Sequence, residues 1–361
     1  MNRSILAISL SHNYACSPVF SHSRSILSIS GFGFFKQLSP VVFSSFGVNL
    51  KISDGYFSKI LNNCIYIESN DISSPIYETN PVEMVFMKAR FENCFASNRP
   101  GAAICANNAD LTLNLTYSVF VDCKTTGSYS FGGRNSYIGA GAVAFSGKYL
   151  FIECIAFDKC NGQYYGGALY TYTAPTNEQY LSNIACTNCG NDYSYSIPML
   201  IDIGKVYTSY INNTYCYGMG AAFHFGLYPN VEKCDYCVQT NNNGQYLFWV
   251  STVSQSQINY VNIFNNTAVH YIFVHQTFTF NQFIIQYNTG SIAIDSGSSL
   301  TITNTVSDTS LTGAILGSGC IITQYTQTHL IVVMEKCNKL PTLTQKYSYR
   351  PLLLLTAFFS Y

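Results

Sequence analysis

The sequence predicts an all-β solenoid, a parallel β-helix of roughly ten to twelve coils. Three observations point there: a short phrase that returns along the chain, a composition rich in strand and turn formers, and short runs in which apolar and polar residues alternate. The phrase is Phe-x-x-Cys followed by a small-residue step. Its clearest copies are Phe91-Glu92-Asn93-Cys94 before Gly101-Ala102-Ala103-Ile104, Phe120-Val121-Asp122-Cys123 before Gly141-Ala142-Val143, and Phe157-Asp158-Lys159-Cys160 before Gly166-Gly167-Ala168-Leu169. Self-similarity over tens of residues marks units that bury their apolar faces only by stacking on one another.

The composition narrows the class. Of 361 residues 48% are hydrophobic and only 10% charged, against about 25% charged in an average soluble domain. That is too apolar for a disordered tail. Eighteen basic and eighteen acidic residues give a formal net charge of zero, so the electrostatic footprint of a nucleic-acid binder is missing. The 29 Tyr, 25 Phe and 25 Gly favour short strands and tight turns over helices.

Aligned on its fourth position, the phrase falls at Leu38, Ile60, Cys94, Cys123, Cys160, Cys189, Cys216, Cys237, Asn266, Gln286, Thr309 and Cys337, 20 to 37 residues apart. The first position then holds Phe35, Phe57, Phe91, Phe120, Phe157, Cys186, Asn213, Cys234, Ile263, Phe283, Val306 and Met334. Strand-like runs lie around the phrases at Leu111–Leu115, Tyr149–Ile152, Tyr246–Val250 and Leu300–Thr303, with turn signals at Asn161-Gly162, Asn243-Gly244 and Ser296-Gly297-Ser298. Three short strands with their turns fill about 27 residues, one coil of a β-helix. Equivalent side chains then stack about 4.8 Å apart, giving an aromatic ladder and a cysteine ladder. The Gly-Gly-Ala step suits a tight bend. The wide gap between Cys123 and Cys160 predicts an extruded loop over residues 125–136. The organisation expected is an N-terminal segment over 1–25, the β-helix over 26–340 and an apolar C-terminal tail over 341–361.

The Phe-x-x-Cys and Gly-Gly-Ala-Leu pairing at Phe157 to Leu169, with its relative at Phe91 to Ile104, resembles the Phe-x-x-Asn and Gly-Gly-Ala-Ile repeats of polymorphic outer-membrane proteins and similar protist surface proteins. Cys replaces Asn at most anchors, and Ile263-Phe264-Asn265-Asn266 is nearest the asparagine form. The resemblance implies a right-handed parallel β-helix of the pectin-lyase type, a handedness that parallel crossovers also favour. It further implies a cell-surface or secreted protein acting in adhesion or recognition, with glycans or cell-surface proteins as partners and no nucleic acid.

Groups that could carry chemistry have simpler accounts. Cys186-Thr187-Asn188-Cys189 and Cys234-Asp235-Tyr236-Cys237 have zinc-type spacing, yet each coincides with the phrase as aligned, so stacked core or disulfide-bonded cysteines are expected. Glu92, Asp122, Glu153, Asp158 and Asp235 occur singly, without the cationic companions of a polysaccharide-cleaving site. His12, His22, His224, His270, His275 and His329 have no metalloprotease spacing. The expectation is therefore no catalytic, metal or cofactor residues, with a carbohydrate-active enzyme or a structural spacer as alternatives. Tyr164, Tyr165, Tyr170, Tyr172, Tyr193 and Tyr195 crowd one region and form the expected recognition surface. Asn-x-Ser/Thr triplets occur at Asn2, Asn114, Asn212 and Asn265. The apolar run Ile5–Leu10 reads as a poor signal peptide. The end, Pro351–Tyr361, is shorter than the about 20 residues of a spanning helix and reads as a cover for the last coil or the stump of a membrane anchor.

Overall fold

The computed structural model describes residues 20–322, apart from 22–26, 32, 37, 39–40, 45–48, 69–81, 128, 132–133, 192–196, 227–229 and 252–255. The apolar tail, the Met334–Cys337 phrase and most of the N-terminal segment lie outside the described residues. Among those described the fold is all-β, without helix, and is laid out as a parallel solenoid. Sheet A runs from Phe20–Ser21 to Thr289–Ile294, sheet B from Leu27–Ser30 to Ile321–Ile322, and a short sheet C holds Phe95–Ala96, Lys124–Thr125 and Asn161–Gly162. Strands pair in parallel with the equivalent strand of the next coil. The exception is an antiparallel hairpin, Tyr129–Phe131 with Arg134–Ile138, inside the loop expected at 125–136.

Alternating burial along Leu111–Thr116 shows how a strand is read: Leu111, Leu113 and Leu115 are buried and the residues between them half-buried. One apolar cluster extends inside the coils from Phe34 to Leu311. The small-residue step is in register as expected. Ile65, Ile104, Val143, Leu169 and Met199 stack in sheet A, directly after buried Ala103, Ala142 and Ala168. Gly101 has φ +67, and a Cβ on Gly141 would strike the carbonyl of Gly167 one coil on. Larger residues at this bend would push the coils apart.

Each coil also carries two left-handed corners five residues apart, first Gly31 and Lys36, last Gln282 and Tyr287. The second corner is the third residue of the phrase, which explains Asn93, Asp122, Asn188, Asn241 and Asn265 there: Asn and Asp tolerate positive φ better than other non-glycine residues.

The aromatic ladder forms in the first half. Phe34, Phe57, Phe91, Phe120 and Phe157 stack with ring centroids 4.7 to 5.4 Å apart. Phe34, not Phe35, occupies the first position; Phe35 is 45% exposed and meets Tyr56 edge-on. Pairing carries the column on through Cys186, Asn213, Gln239, Ile263, Ile285 and Ser307. This corrects three alignments made from sequence. Cys234 and Cys237 lie earlier in their coil, where Cys234 pairs with Thr208, and their thiols face each other in the core at 3.8 Å. The phrase of that coil is Gln239-Thr240-Asn241-Asn242, which has lost both of its marker residues. Phe283 and Val306 likewise give way to Ile285 and Ser307. Asn161-Gly162 and Asn243-Gly244 are strand residues rather than turns.

The fourth position performs one task with two chemistries. The thiols of Cys94, Cys123, Cys160 and Cys216 donate to the carbonyls of Phe57, Phe91, Phe120 and Cys186, the first position of the coil before, at 3.5 to 4.0 Å. The Nδ2 groups of Asn242, Asn266 and Asn288 donate to the same carbonyl, of Asn213, Gln239 and Ile263, at 2.7 to 3.2 Å. The asparagine carbonyls add a second bond, accepting from the backbone N–H of Cys216, Asn242 and Asn266.

Asn213 and Gln239 are the weak point of the core column, because both amides are fully buried and neither has a hydrogen-bond partner among the described residues. Replacing both polar partners by apolar groups removes their desolvation cost. The double variant Asn213→Leu, Gln239→Leu should therefore be as stable as the parent or more stable, by about 1–3 kcal/mol, in urea unfolding. Asn266→Leu should lose about 1–3 kcal/mol for each backbone group it orphans, the carbonyl of Gln239 and the N–H of Asn242. Equal effects of the two changes would show that the ladder amides are not what holds the turn.

Candidate recognition surface

Of the acidic residues singled out from sequence, Asp122 and Asp158 lie on adjacent coils, where the Asp122 N–H donates to the Asp158 carbonyl at 2.8 Å, and Glu92 shares a column with Asp158 through Val121. Glu92 accepts from Tyr56 Oη at 2.7 Å and from Arg90 Nε at 3.2 Å. Asp122 pairs with Lys124 at 2.6 Å, Asp158 accepts from Asn188 Nδ2 at 3.4 Å, and Asp235 accepts from Asn259 Nδ2 at 2.9 Å. Glu153 and Asp235 share one outward column through Ser182 and Ser209. Three coil steps of about 4.8 Å place them about 14 Å apart, beyond the 9.5 Å reach of a paired glycosidase site. Among the described residues no group of three or more His, Cys, Asp or Glu has the geometry to hold a metal ion.

The tyrosine cluster expected near residue 170 is largely structural. Tyr170 is fully buried in a second apolar cluster with Tyr66, Ile138, Ile197 and Leu200, and Tyr165 and Tyr172 pack against it. Ile138 belongs to the extruded hairpin, which thus covers the outer face of sheet A at this level. Tyr164 is half-buried, and Tyr193 and Tyr195 lie outside the described residues.

Other tyrosines, missed in the sequence, line the outer face of sheet B. Tyr180 and Tyr207 stack at 4.6 Å, and Tyr210, Tyr236 and Tyr260 stack at 4.9 and 4.6 Å with ring planes 6° apart. The signal was present: their spacings of 27, 26 and 24 residues are the coil period. Because neighbouring rings cover each other's faces, these columns show solvent mainly edges and hydroxyls. Partial loss of water, together with neighbouring phenols and carboxylates, pushes the phenols of Tyr180, Tyr207 and Tyr236 above their ordinary value.

A different arrangement occurs on the outer face of sheet A, where the strands Asn243–Val250, Thr267–Val274 and Thr289–Ile294 lie side by side. Phe248, Ile272 and Ile292 face the core, which turns Trp249 and Phe273 outward; Tyr246, His270 and Ser291 form a second outward column. The rings meet at mixed angles: Trp249 and Phe273 at 5.3 Å and 82° and Phe273 and His275 at 4.5 Å and 81°, but Tyr246 and Phe273 at 4.8 Å and 35° and Tyr246 and His270 at 5.7 Å and 23°. The result is an irregular, half-buried aromatic surface containing the chain's single tryptophan. Its rim is polar. His270 Nδ1 hydrogen-bonds Ser291 Oγ at 2.8 Å, and His275 Nδ1 pairs with the Asp295 carboxylate. Serine and carboxylate lie on different imidazoles, so these two pairs do not make a Ser-His-Asp relay. The sequence treated both histidines as solvent-facing or satisfied; strand bulges beside His270 bring them around Phe273.

Compared with protein-family models, with curated proteins and with solved structures, the chain matches none. The chemistry of this surface therefore has to be read from its own geometry.

Tyr271, beside the patch but facing the core, supplies a pH test. Its hydroxyl donates to the Ser310 carbonyl at 2.6 Å, and burial pushes its phenol up to about 12 from the ordinary 10. As pH rises from 10 toward 12 the unfolded chain loses this proton first, so the stability the buried neutral phenol confers is complete below pH 10 and is lost through that window. Chemical unfolding at stepped pH should show a decline that is shallower in Tyr271→Phe.

Proposed function

We propose that the chain is a right-handed parallel β-helix of the pectin-lyase type, and that it is a non-catalytic cell-surface or secreted protein that recognises glycans or surface proteins. The paired left-handed corners support the coil count: ten coils carry both, and an eleventh begins at Asn304. Handedness rests on the general preference of parallel crossovers and on the repeat resemblance. The observation that carries the functional reading is the aromatic surface around Trp249. Tryptophan, tyrosine, phenylalanine and histidine at mixed mutual angles, with a rim of Ser291 and Asp295, have the composition of a binding hot spot: aromatic area at the centre and polar groups at the edge. The outer faces of the tyrosine columns are used up in stacking and are better suited to stiffening the rod.

The alternative, a carbohydrate-cleaving enzyme, would have to draw on Asp122 and Asp158, neighbours on adjacent coils that are held by Lys124 and Asn188. Incubation with acidic polysaccharides, with and without calcium, should release no new chain ends. Binding to glycan arrays or to intact cells should fall at least tenfold in Trp249→Ala with an unchanged circular dichroism spectrum, and should persist in Tyr164→Ala. Binding that survives Trp249→Ala but is lost with Tyr236→Asn would move the recognition surface to sheet B.

A further inference from the structure

Cys64 and Cys94 lie at the head of the core cysteine ladder. The sequence places them 30 residues apart, and the fold brings them face to face in successive coils, Sγ to Sγ at 3.0 Å. That is about 1 Å beyond a covalent S–S bond of about 2.05 Å. Other core thiols also neighbour one another, Cys94 and Cys123, Cys123 and Cys160, and Cys186 with Cys189 and Cys216 along the ladder, and Cys234 and Cys237 at 3.8 Å within one strand. Cys94 shares with Cys123, Cys160 and Cys216 a contact to a backbone carbonyl, but its own, to Phe57 at 4.0 Å, is the longest of the four and 1 Å longer than its approach to Cys64. Both Cys64 and Cys94 are free and buried in the apolar core. Cys64 begins the approach to Ile65–Glu68 in sheet A, whereas Cys94 closes the phrase of the following coil after Arg90–Glu92 in sheet B. A bond between them would tie two sheets and two coils together near the N-terminal end of the described solenoid.

We infer that Cys64 and Cys94 are the site of an inter-coil disulfide that forms when the chain folds in the presence of a small-molecule disulfide oxidant. The two thiols release two protons and two electrons as the Sγ–Sγ bond forms. The oxidant, of the oxidised-glutathione class, takes up both, and its own S–S bond breaks to give two thiols. Burial keeps both protein thiols protonated, pushing Cys64 up and Cys94 well up, and a protonated thiol is a poor nucleophile. Oxidation thus belongs to the folding chain, before the coils close, and the folded reduced protein reacts slowly. Once made, the bond acts as a staple between two successive coils, so that neither can open without the other.

The test is to refold the reduced full chain in a buffer of reduced and oxidised glutathione, block free thiols by alkylation, and map the peptides after a double digestion that separates Cys94 from Cys105 and Cys123. The expected result is a Cys64–Cys94 linked peptide lighter by two hydrogens than its parts, with Cys234 and Cys237 alkylated. Folded reduced protein given the same oxidant should form the link at least tenfold more slowly. The thermal midpoint of the linked protein should exceed that of the reduced protein by several degrees, a difference abolished in Cys64→Ala. Should that variant fail to fold, the parent map decides alone: an alkylated Cys64 in the refolded soluble chain, or a dominant link at Cys234–Cys237, overturns the assignment.

Discussion

Every coil of this chain sits in register on the one before it, so each side chain is obliged to lie on the equivalent side chain of its neighbours. Backbone pairing in parallel sheets sets this spacing, and it leaves no residue free to be chosen on local grounds alone. Phenylalanine rests on phenylalanine from Phe34 to Phe157, tyrosine on tyrosine from Tyr210 to Tyr260, and asparagine on asparagine from Asn242 to Asn288. Columns of like residues follow from that geometry. Where a column is interrupted by buried polar groups without partners, as at Asn213 and Gln239, the interruption is shared by two adjacent coils.

The exchange of cysteine for asparagine along the fourth position shows what the register tolerates. A buried turn needs a donor for the carbonyl of the preceding coil, because an unpaired buried carbonyl is costly. An amide meets that need at 2.7 to 3.2 Å and also accepts a backbone N–H. A thiol meets it only weakly, at 3.5 to 4.0 Å, but compensates as a small hydrophobe that packs beside the phenylalanine ladder. Cysteine holds the position beside Phe91, Phe120 and Phe157 and continues beside Cys186 and Asn213, and asparagine takes over from Asn242 on, where Ile263 and Ile285 replace the rings.

The same constraint shapes the two outer faces. On sheet B the coil period sets tyrosines directly on one another, which favours stacking and hides their faces. On sheet A the bulges beside His270 break strict repetition, and the rings of Trp249, Phe273, Tyr246 and His275 lie at mixed angles. Irregularity in an otherwise repetitive surface is what gives one place on it a distinct shape.

The recurring phrase, the turn residues and the low charge were enough to define an all-β solenoid, its period, the small-residue bend and the extruded loop. These are properties of local spacing, and each coil writes them again. The sequence also held the left-handed corners in its Asn and Asp preference at the third phrase position. It did not reveal that Gln239-Thr240-Asn241-Asn242 is a phrase, since neither Phe nor Cys survives there, two Asn residues alone do not mark it in an Asn-rich chain, and pairing with Asn213 identifies it. Nor could it tell which tyrosines are covered, because Tyr170 is buried by a hairpin from the preceding coil, or that Cys64 meets Cys94. Periodic features are fixed by residue type and spacing within one coil. Contacts between coils, and between a loop and a face, depend on loop lengths that differ from coil to coil, and only the tertiary structure adds those up.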